Sequence, residues 1–394
     1  MSQQTKDNGE EFSQGYLLSK GWEACTCTSC GKTFYVKVSS TLNRGSCGRN
    51  RYNDDEHEFK TLPKRKQLLK PIDIRNHLSS HFVSVGYSDR PHCNIVNEEG
   101  LTDLVVARVQ VFDGFIHCGK EPVNGRFFIG QPSIRTQFQP LVAGQEGTST
   151  AFVNVCTEEM NSSISGHMES LDQWCSALSR LGLRMDDFTI VQRVSENDWG
   201  TGAFTALELF FCYKGLELGD AAFMTVPTLT GQEVVVSDIG FGLERIAWVI
   251  NRTESYFDLL APLASVHPRE MLDLCRSAAL LCSDGVIASN KGAGLQLRRF
   301  VKLLVEKYYC DDIMHLVSCY TQYWKSFSSQ EVTEEGFISI KVEIDRLINL
   351  KVCDLLKLPP PRTGELTEAY FERLVYTCNV NVNDLRQAIQ SCKT

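Results

Sequence analysis

The chain has 394 residues, a net charge of −8, 43 % hydrophobic and 22 % charged residues. This is ordinary globular composition, enough for two or three domains, and it speaks against a general polyanion binder. No apolar stretch approaches the roughly 20 residues of a membrane helix. The opening MSQQTKDNGEEFSQG is polar and lacks an apolar signal core, so a cytoplasmic protein is expected, with its sixteen cysteines reduced.

In chain order, residues 1–20 read as a disordered tail and residues 21–65 as a cysteine-rich segment. Cys27 and Cys30 form a C-x-x-C pair followed by Gly31, the spacing of a zinc knuckle. Cys47, followed by Gly48, supplies a third ligand. The fourth is assigned to His57, with Cys25 as the second choice. A segment this short and polar has little core without such a staple. PKRKQLLKP then reads as a basic linker.

Residues 66–262 alternate strand-like and helix-like runs. DIRNHLSSHFVSVGY and SLDQWCSALSRLGL have helical periodicity, the second ending near Gly182. TDLVVARVQVF, FFIGQPSIRTQ, TAFVNVCTEE, FTALELFFCYKGLEL, AAFMTVP and EVVVSDIG read as strands. Many strands with few helical crossovers predict an α+β fold, an antiparallel sheet flanked by helices. Residues 263–394 are nearly all helical, broken at LPPPRTG.

SDIGFGLERIAWVI, residues 237–250, places two glycines at a strand-to-helix junction and an arginine one turn into the helix. Glycine there permits close approach of a ligand to the backbone, and the arginine is placed to meet a phosphate.

Strand, G-x-G-x-x-R and helix resemble motif 3 of the class II aminoacyl-tRNA synthetases. The stretch VVVSDIGFGLERIAWVINRTESYFDLL is similar to the alanyl-tRNA synthetase version, with Asp238 ahead of G-x-G-L-E-R and a Tyr-Asp region after the helix. GQPSIRTQ resembles the motif 2 entry of that family. ENDWGTG, KGLELGDAAFM and SDGVIASNKGAGLQLRRFVK match further segments in order, and the cysteine segment resembles the N-terminal insertion of the archaeal-type enzymes. The resemblance spans about residues 21–304.

The resemblance implies amino-acid activation with ATP and Mg2+, a structural Zn2+, and tRNA as a partner. Arg135 would hold the α-phosphate and carboxylate region, and Arg245 the distal phosphates or the adenine. Phe152 would stack on adenine, Gly240 and Gly242 would admit the adenosine, and Glu208 would help hold magnesium. Asp238 would bind the α-ammonium group of the amino acid. Trp199, Asp220 and Ala222 would line the amino-acid pocket, with core packing as the other reading of Trp199 and Phe152. Asn290, Arg298, Arg299 and Lys302 would face tRNA, on a helix that a purely solvated surface would resemble.

The departures are specific. Val153 stands where the family has the glutamate that reads the adenine amino group, and Gly147, Thr148 and Ser149 replace bulk and charge. Asp220 and Ala222 suggest a roomier or more polar pocket than alanine needs. The editing and C-terminal domains of the family have no counterpart, nor does its late Y-D-x-x-G-x-P stretch. Three readings follow: an ATP-dependent ligase acting on tRNA or a non-tRNA acceptor, an aminoacyl-tRNA-using transferase without ATP activation, and a non-catalytic paralogue that binds tRNA or an aminoacyl ligand. The amino acid, the acceptor and the oligomeric state are not fixed by the sequence.

Overall fold

Apolar runs such as FTALELFFCY need a sheet with both faces covered. The computed structural model describes residues 3–48, 58–260, 266–327, 334–362, 365 and 367–392, with side chains from residue 10 onward. Its nine strands are β1 (Trp22–Thr26), β2 (Thr33–Lys37), β3 (Ser88–Arg90), β4 (Arg126–Ile134), β5 (Ala151–Met160), β6 (Phe188–Asp198), β7 (Ala203–Tyr213), β8 (Leu216–Pro227) and β9 (Glu233–Gly242). They form one sheet in the order β1-β2-β6-β7-β8-β9-β5-β4-β3. Every pairing is antiparallel except β3 with β4. This is the expected α+β architecture. The β7–β8 turn uses Lys214 and Gly215, both at positive φ (44° and 89°), the twist that a two-residue hairpin requires.

The contacts divide the chain into two units. The first comprises Met1–Arg135 and Leu141–Leu259, the second Thr136–Pro140 and Leu260–Thr394. In the first, helices α1 (Gln3–Ser19), α2 (Pro71–Ser84), α3 (Asp113–Cys118), α4 (Ile164–Arg180) and α5 (Leu243–Asn251) accompany the sheet. One sheet face carries an aromatic cluster. Phe82 of α2 lies 4.7 Å from Trp174 of α4 and 5.3 Å from Phe128, and Trp174 lies 4.6 Å from Phe241. Trp174 Nε1 donates to Thr157 Oγ1 at 2.8 Å, so the buried indole keeps a partner. The opposite face buries Ile129, Cys156, Ala222, Met224 and Val236 under Val109, Val111 and Phe112.

Three expectations are corrected. The N-terminal tail is a helix from Gln3 to Ser19. Leu17 is buried, and Tyr16 Oη donates to Asp172 Oδ2 at 2.8 Å, so a few apolar contacts hold an otherwise polar sequence. The cysteine-rich segment is no separate body, because β1 and β2 continue the sheet through β6. TDLVVARVQVF is not a strand. The side chain of Gln110 accepts from the N–H groups of Val106 and Ala107, at 2.6 and 2.9 Å, and the run closes into a 3-10 turn over Arg108–Phe112. Its apolar residues are spent on covering the sheet face. Four strands went unread, β1, β2, β3 and β6 (FTIVQRVSEND), and FTALELFFCYKGLEL is not one strand but runs across the β7–β8 turn.

The second unit holds α6 (Arg269–Ser283), α7 (Gly292–Tyr308), α8 (Ile313–Lys325), α9 (Glu334–Leu356), α10 (Thr367–Tyr376) and α11 (Val382–Ser391). Arg276 of α6 is fully buried, its guanidinium 4.2 Å from the rings of both Tyr323 and Trp324. Among the described residues no helix is long and apolar enough to cross a membrane.

Truncating the aromatic cluster tests the first unit. Phe82→Ala removes a fully buried ring and should lower the unfolding free energy by about 3–5 kcal/mol, read by urea denaturation.

Candidate functional site

Pairing across five strands lines up Arg193, Glu208, Ala222, Asp238 and Glu158 as one row on a single sheet face. Asp220 sits two residues before Ala222 on β8, on the same face. Two of the carboxylates in this row, Asp238 and Glu158, are buried. Charges cannot be buried together without compensation. The compensation comes from Arg108, which the sequence reading did not single out. Its Nε donates to Asp238 Oδ1, and its Nη2 donates to Asp220 Oδ2 at 2.9 Å. Glu158 Oε1 lies 3.7 Å from Nε. Burial pushes the Glu158 carboxyl well up, with Asp238 adding to it, so Glu158 is held toward its protonated form. Burial also raises Asp238, and Arg108 opposes that rise.

Arg108 reaches this place because the 3-10 turn lays it on the sheet and because residue 240 is glycine. A Cβ on Gly240 would stand 2.6 Å from Arg108 Cδ and Nε. Gly240 therefore makes room for an arginine of the chain itself. Neither glycine of the motif needs a positive φ: both lie at the end of β9, and Gly242 is the N-cap of α5 at φ −71°. The residue expected to receive a substrate ammonium thus already has a resident cation.

The nucleotide-side residues converge nearby. Arg135 Nε donates to the Val106 carbonyl at 2.8 Å, and its guanidinium carbon lies 5.3 Å from the Phe152 ring centre. Burial lowers the pKa of Arg135, and the cations Arg108 and Arg245 add to this while Asp220 opposes it. Arg245 donates to the carbonyls of Gly147 and Glu217, both at 2.8 Å. The small residues before Phe152 have a packing reason. Gly147 has φ +77° and a Cβ there would meet Trp248 Cζ3 at 2.7 Å, so the loop lies down on α5. Glu244, buried in the first turn of α5, accepts the Val153 N–H with both oxygens, at 3.1 and 3.0 Å. It thereby serves the backbone at the position where the family's glutamate is missing.

Two assignments meet resident partners. Glu208 Oε2 accepts from Arg193 Nε and Nη2, both at 2.7 Å, so its charge is already balanced and it does not fit a magnesium ligand here. Trp199 packs edge-on against Phe204 at 4.7 Å and against the apolar cluster that includes Ala222. Core packing is the reading that this position shows.

No family profile matches the chain. Curated relatives do. The chain is 25 % identical over 255 residues to the alanine–tRNA ligase of Methanothermobacter thermautotrophicus, covering 61 % of this chain and 27 % of that protein. It is 24 % identical over 401 residues to the alanine–tRNA ligase of Staphylothermus marinus, covering 80 % of this chain and 42 % of that one. The chain is alanyl-tRNA synthetase-like. It spans less than half the length of these relatives. Among solved structures, a pyrrolysyl-tRNA synthetase of Desulfitobacterium hafniense aligns at a TM-score of 0.34 and 14 % identity, over 49 % of this chain and 71 % of that one.

The alanyl-tRNA synthetase-like chain brings together three of its expected zinc ligands. The sulfurs of Cys27, Cys30 and Cys47 lie within 4.8 Å of one another, with Cys30 and Cys47 at 3.8 Å. That is the edge of a tetrahedron with metal–sulfur bonds of about 2.3 Å. The Ser29 hydroxyl, 3.1 Å from Cys27 Sγ, and nearby backbone N–H groups pull that thiol down to about 5. Cys25 does not join the cluster, and His57 lies outside the described residues. The donor set fits zinc, which would clamp the β1–β2 turn to the Cys47 loop.

In the helical unit of this alanyl-tRNA synthetase-like protein the expected basic face is partly neutralised. Arg298 donates to Asn290 Oδ1 and, at 3.0 Å, to Glu343 Oε1. Glu343 also accepts from Arg346. Lys302 lies 3.5 Å from Glu306, and Arg299 is exposed with a 3.4 Å bond to Gln296.

Two tests follow. Replacing Cys27, Cys30 and Cys47 by serine should remove about one equivalent of bound zinc, measured by elemental analysis of protein purified without chelator. Arg108→Met should destabilise the fold by about 3–5 kcal/mol near pH 8, because it strands buried carboxylates. The folded-state pKa of Asp238 then rises further above its unfolded value. Its stabilising contribution is full below the unfolded pKa and is lost as pH rises, so the deficit should shrink near pH 5 in denaturant titrations.

Proposed function

We propose that this chain is an ATP-dependent, synthetase-type ligase of the cytoplasm. It joins a carboxylate to the α-phosphate of ATP, expels pyrophosphate, and passes the acyl group to tRNA or to a non-tRNA acceptor. The observation that carries this reading is the convergence of Arg135, Phe152 and Arg245 at the β4–β5 and β9–α5 junctions, beside the Asp238 row. The carboxylate oxygen attacks the α-phosphorus as the pyrophosphate oxygen leaves. Guanidinium groups suit the negative charge that spreads over the phosphate oxygens in that step. The side chain of Phe152 supplies an apolar face for a base. Any tRNA contact rests on Arg299, Lys302 and phosphates rather than on base edges, and so weakens as salt rises.

A second reading is a paralogue that binds an aminoacyl ligand or tRNA without activating anything. Arg108 on Asp238 and Arg245 on two carbonyls favour it. ATP–pyrophosphate exchange across the amino acids separates the two. The ligase reading expects exchange with at least one amino acid and a loss of about 100-fold or more in Arg135→Ala and Arg245→Ala. No exchange with any amino acid, from folded protein that still retains tRNA on a filter, would leave the second reading standing.

A further inference from the structure

His267 stands just before α6, ahead of the N-cap Pro268, while Cys310 and Asp312 lie on the loop between α7 and α8. All three belong to the helical unit. One ligand atom from each, His267 nitrogen, Cys310 Sγ and an Asp312 carboxylate oxygen, falls within 4.8 Å of the other two. We propose that these three residues bind a zinc-class divalent ion that clasps the start of α6 to the α7–α8 loop.

Four observations converge. The His267 side chain is 9 % exposed, and its Nε2 is buried with no hydrogen-bond partner. An orphaned ring nitrogen is costly and unusual. That atom lies 3.3 Å from Asp312 Oδ2, longer than the usual 2.9–3.0 Å N–H···O bond. The same distance is the edge of a tetrahedron whose nitrogen and oxygen ligands sit at about 2.0–2.1 Å from zinc. Finally, Asp312 is the N-cap of α8 yet its side chain accepts no capping bond, so its carboxylate is turned away from the task an N-cap aspartate normally performs. A nitrogen, a thiolate and a carboxylate are together a borderline-soft set that selects zinc or cobalt over magnesium and calcium. Three protein donors leave one position for water.

The site is separate from the N-terminal cysteine cluster, and metal content distinguishes them. Full-length protein is purified without chelator as wild type, as His267→Ala, and as the Cys27→Ser, Cys30→Ser, Cys47→Ser triple variant, and zinc is counted by mass spectrometry. The triple variant should retain about one equivalent, and His267→Ala should lose about one relative to wild type. A second readout uses Co2+. Titrated into chelator-treated protein, it should give a thiolate-to-cobalt charge-transfer band in the triple variant, from Cys310. Asp312→Asn, a change at a half-exposed residue, should weaken cobalt affinity by more than the roughly 10-fold that loss of an outer-shell partner brings. A metal-free triple variant that is folded by circular dichroism, or a His267→Ala protein with wild-type zinc, overturns the proposal. If the triple variant does not fold, the His267→Ala and Asp312→Asn comparisons on the intact N-terminal cluster decide.

Discussion

A guanidinium sunk among three carboxylates is the constraint around which the first unit is arranged. Arg108 can be buried only because Asp238, Asp220 and Glu158 surround it, and Asp238 and Glu158 can be buried only because it is there. The sheet supplies the carboxylates in register, the 3-10 turn supplies the arginine, and Gly240 supplies the space. Desolvating such groups is expensive, so the arrangement is worth little as net stability and much as specificity of position. It also turns a pocket wall into an occupied site. A ligand bringing its own ammonium to Asp238 must compete with a cation tethered to the chain.

The same logic extends to the nucleotide side. The guanidinium of Arg245 is held by backbone carbonyls, and Glu244 beside it has become a backbone acceptor for Val153. Groups that could reach outward to a ligand also have inward work. Binding there would exchange one set of hydrogen bonds for another of similar strength, so affinity would come from differences rather than from new contacts.

The β9–α5 junction was legible because it combines two short-range signals, a β-branched run and a helical repeat, with glycines between them. The antiparallel sheet was legible for the same reason. Arg108 was not, because the run around it alternates well enough to pass for a strand; the signal that decides otherwise is Gln110, whose amide can cap its own preceding backbone. β6 was missed although it alternates, since its outer half, VSEND, reads as a loop by composition. α1 was missed because helix propensity is weak evidence beside a polar composition, and tertiary contacts through Tyr16 and Leu17 supply what the sequence lacks. Partners such as Glu343 for Arg298, 45 residues apart, lie beyond any local reading.

The β1–β2 hairpin joins the sheet through only three residues of β2, Phe34 to Val36, opposite Val191 to Thr189. Beyond Val191, β6 runs on for seven residues with β7 on one side and, among the described residues, no strand on the other. An open strand edge of that length is a template for pairing with another chain. Here the edge is studded with Arg193, Glu196 and Asp198, whose charges of both signs make such docking costly for a neighbouring apolar strand. Replacing the exposed Glu196 and Asp198 with β-branched residues would leave the ion pair of Arg193 with Glu208 in place and change how crowded solutions of the protein behave.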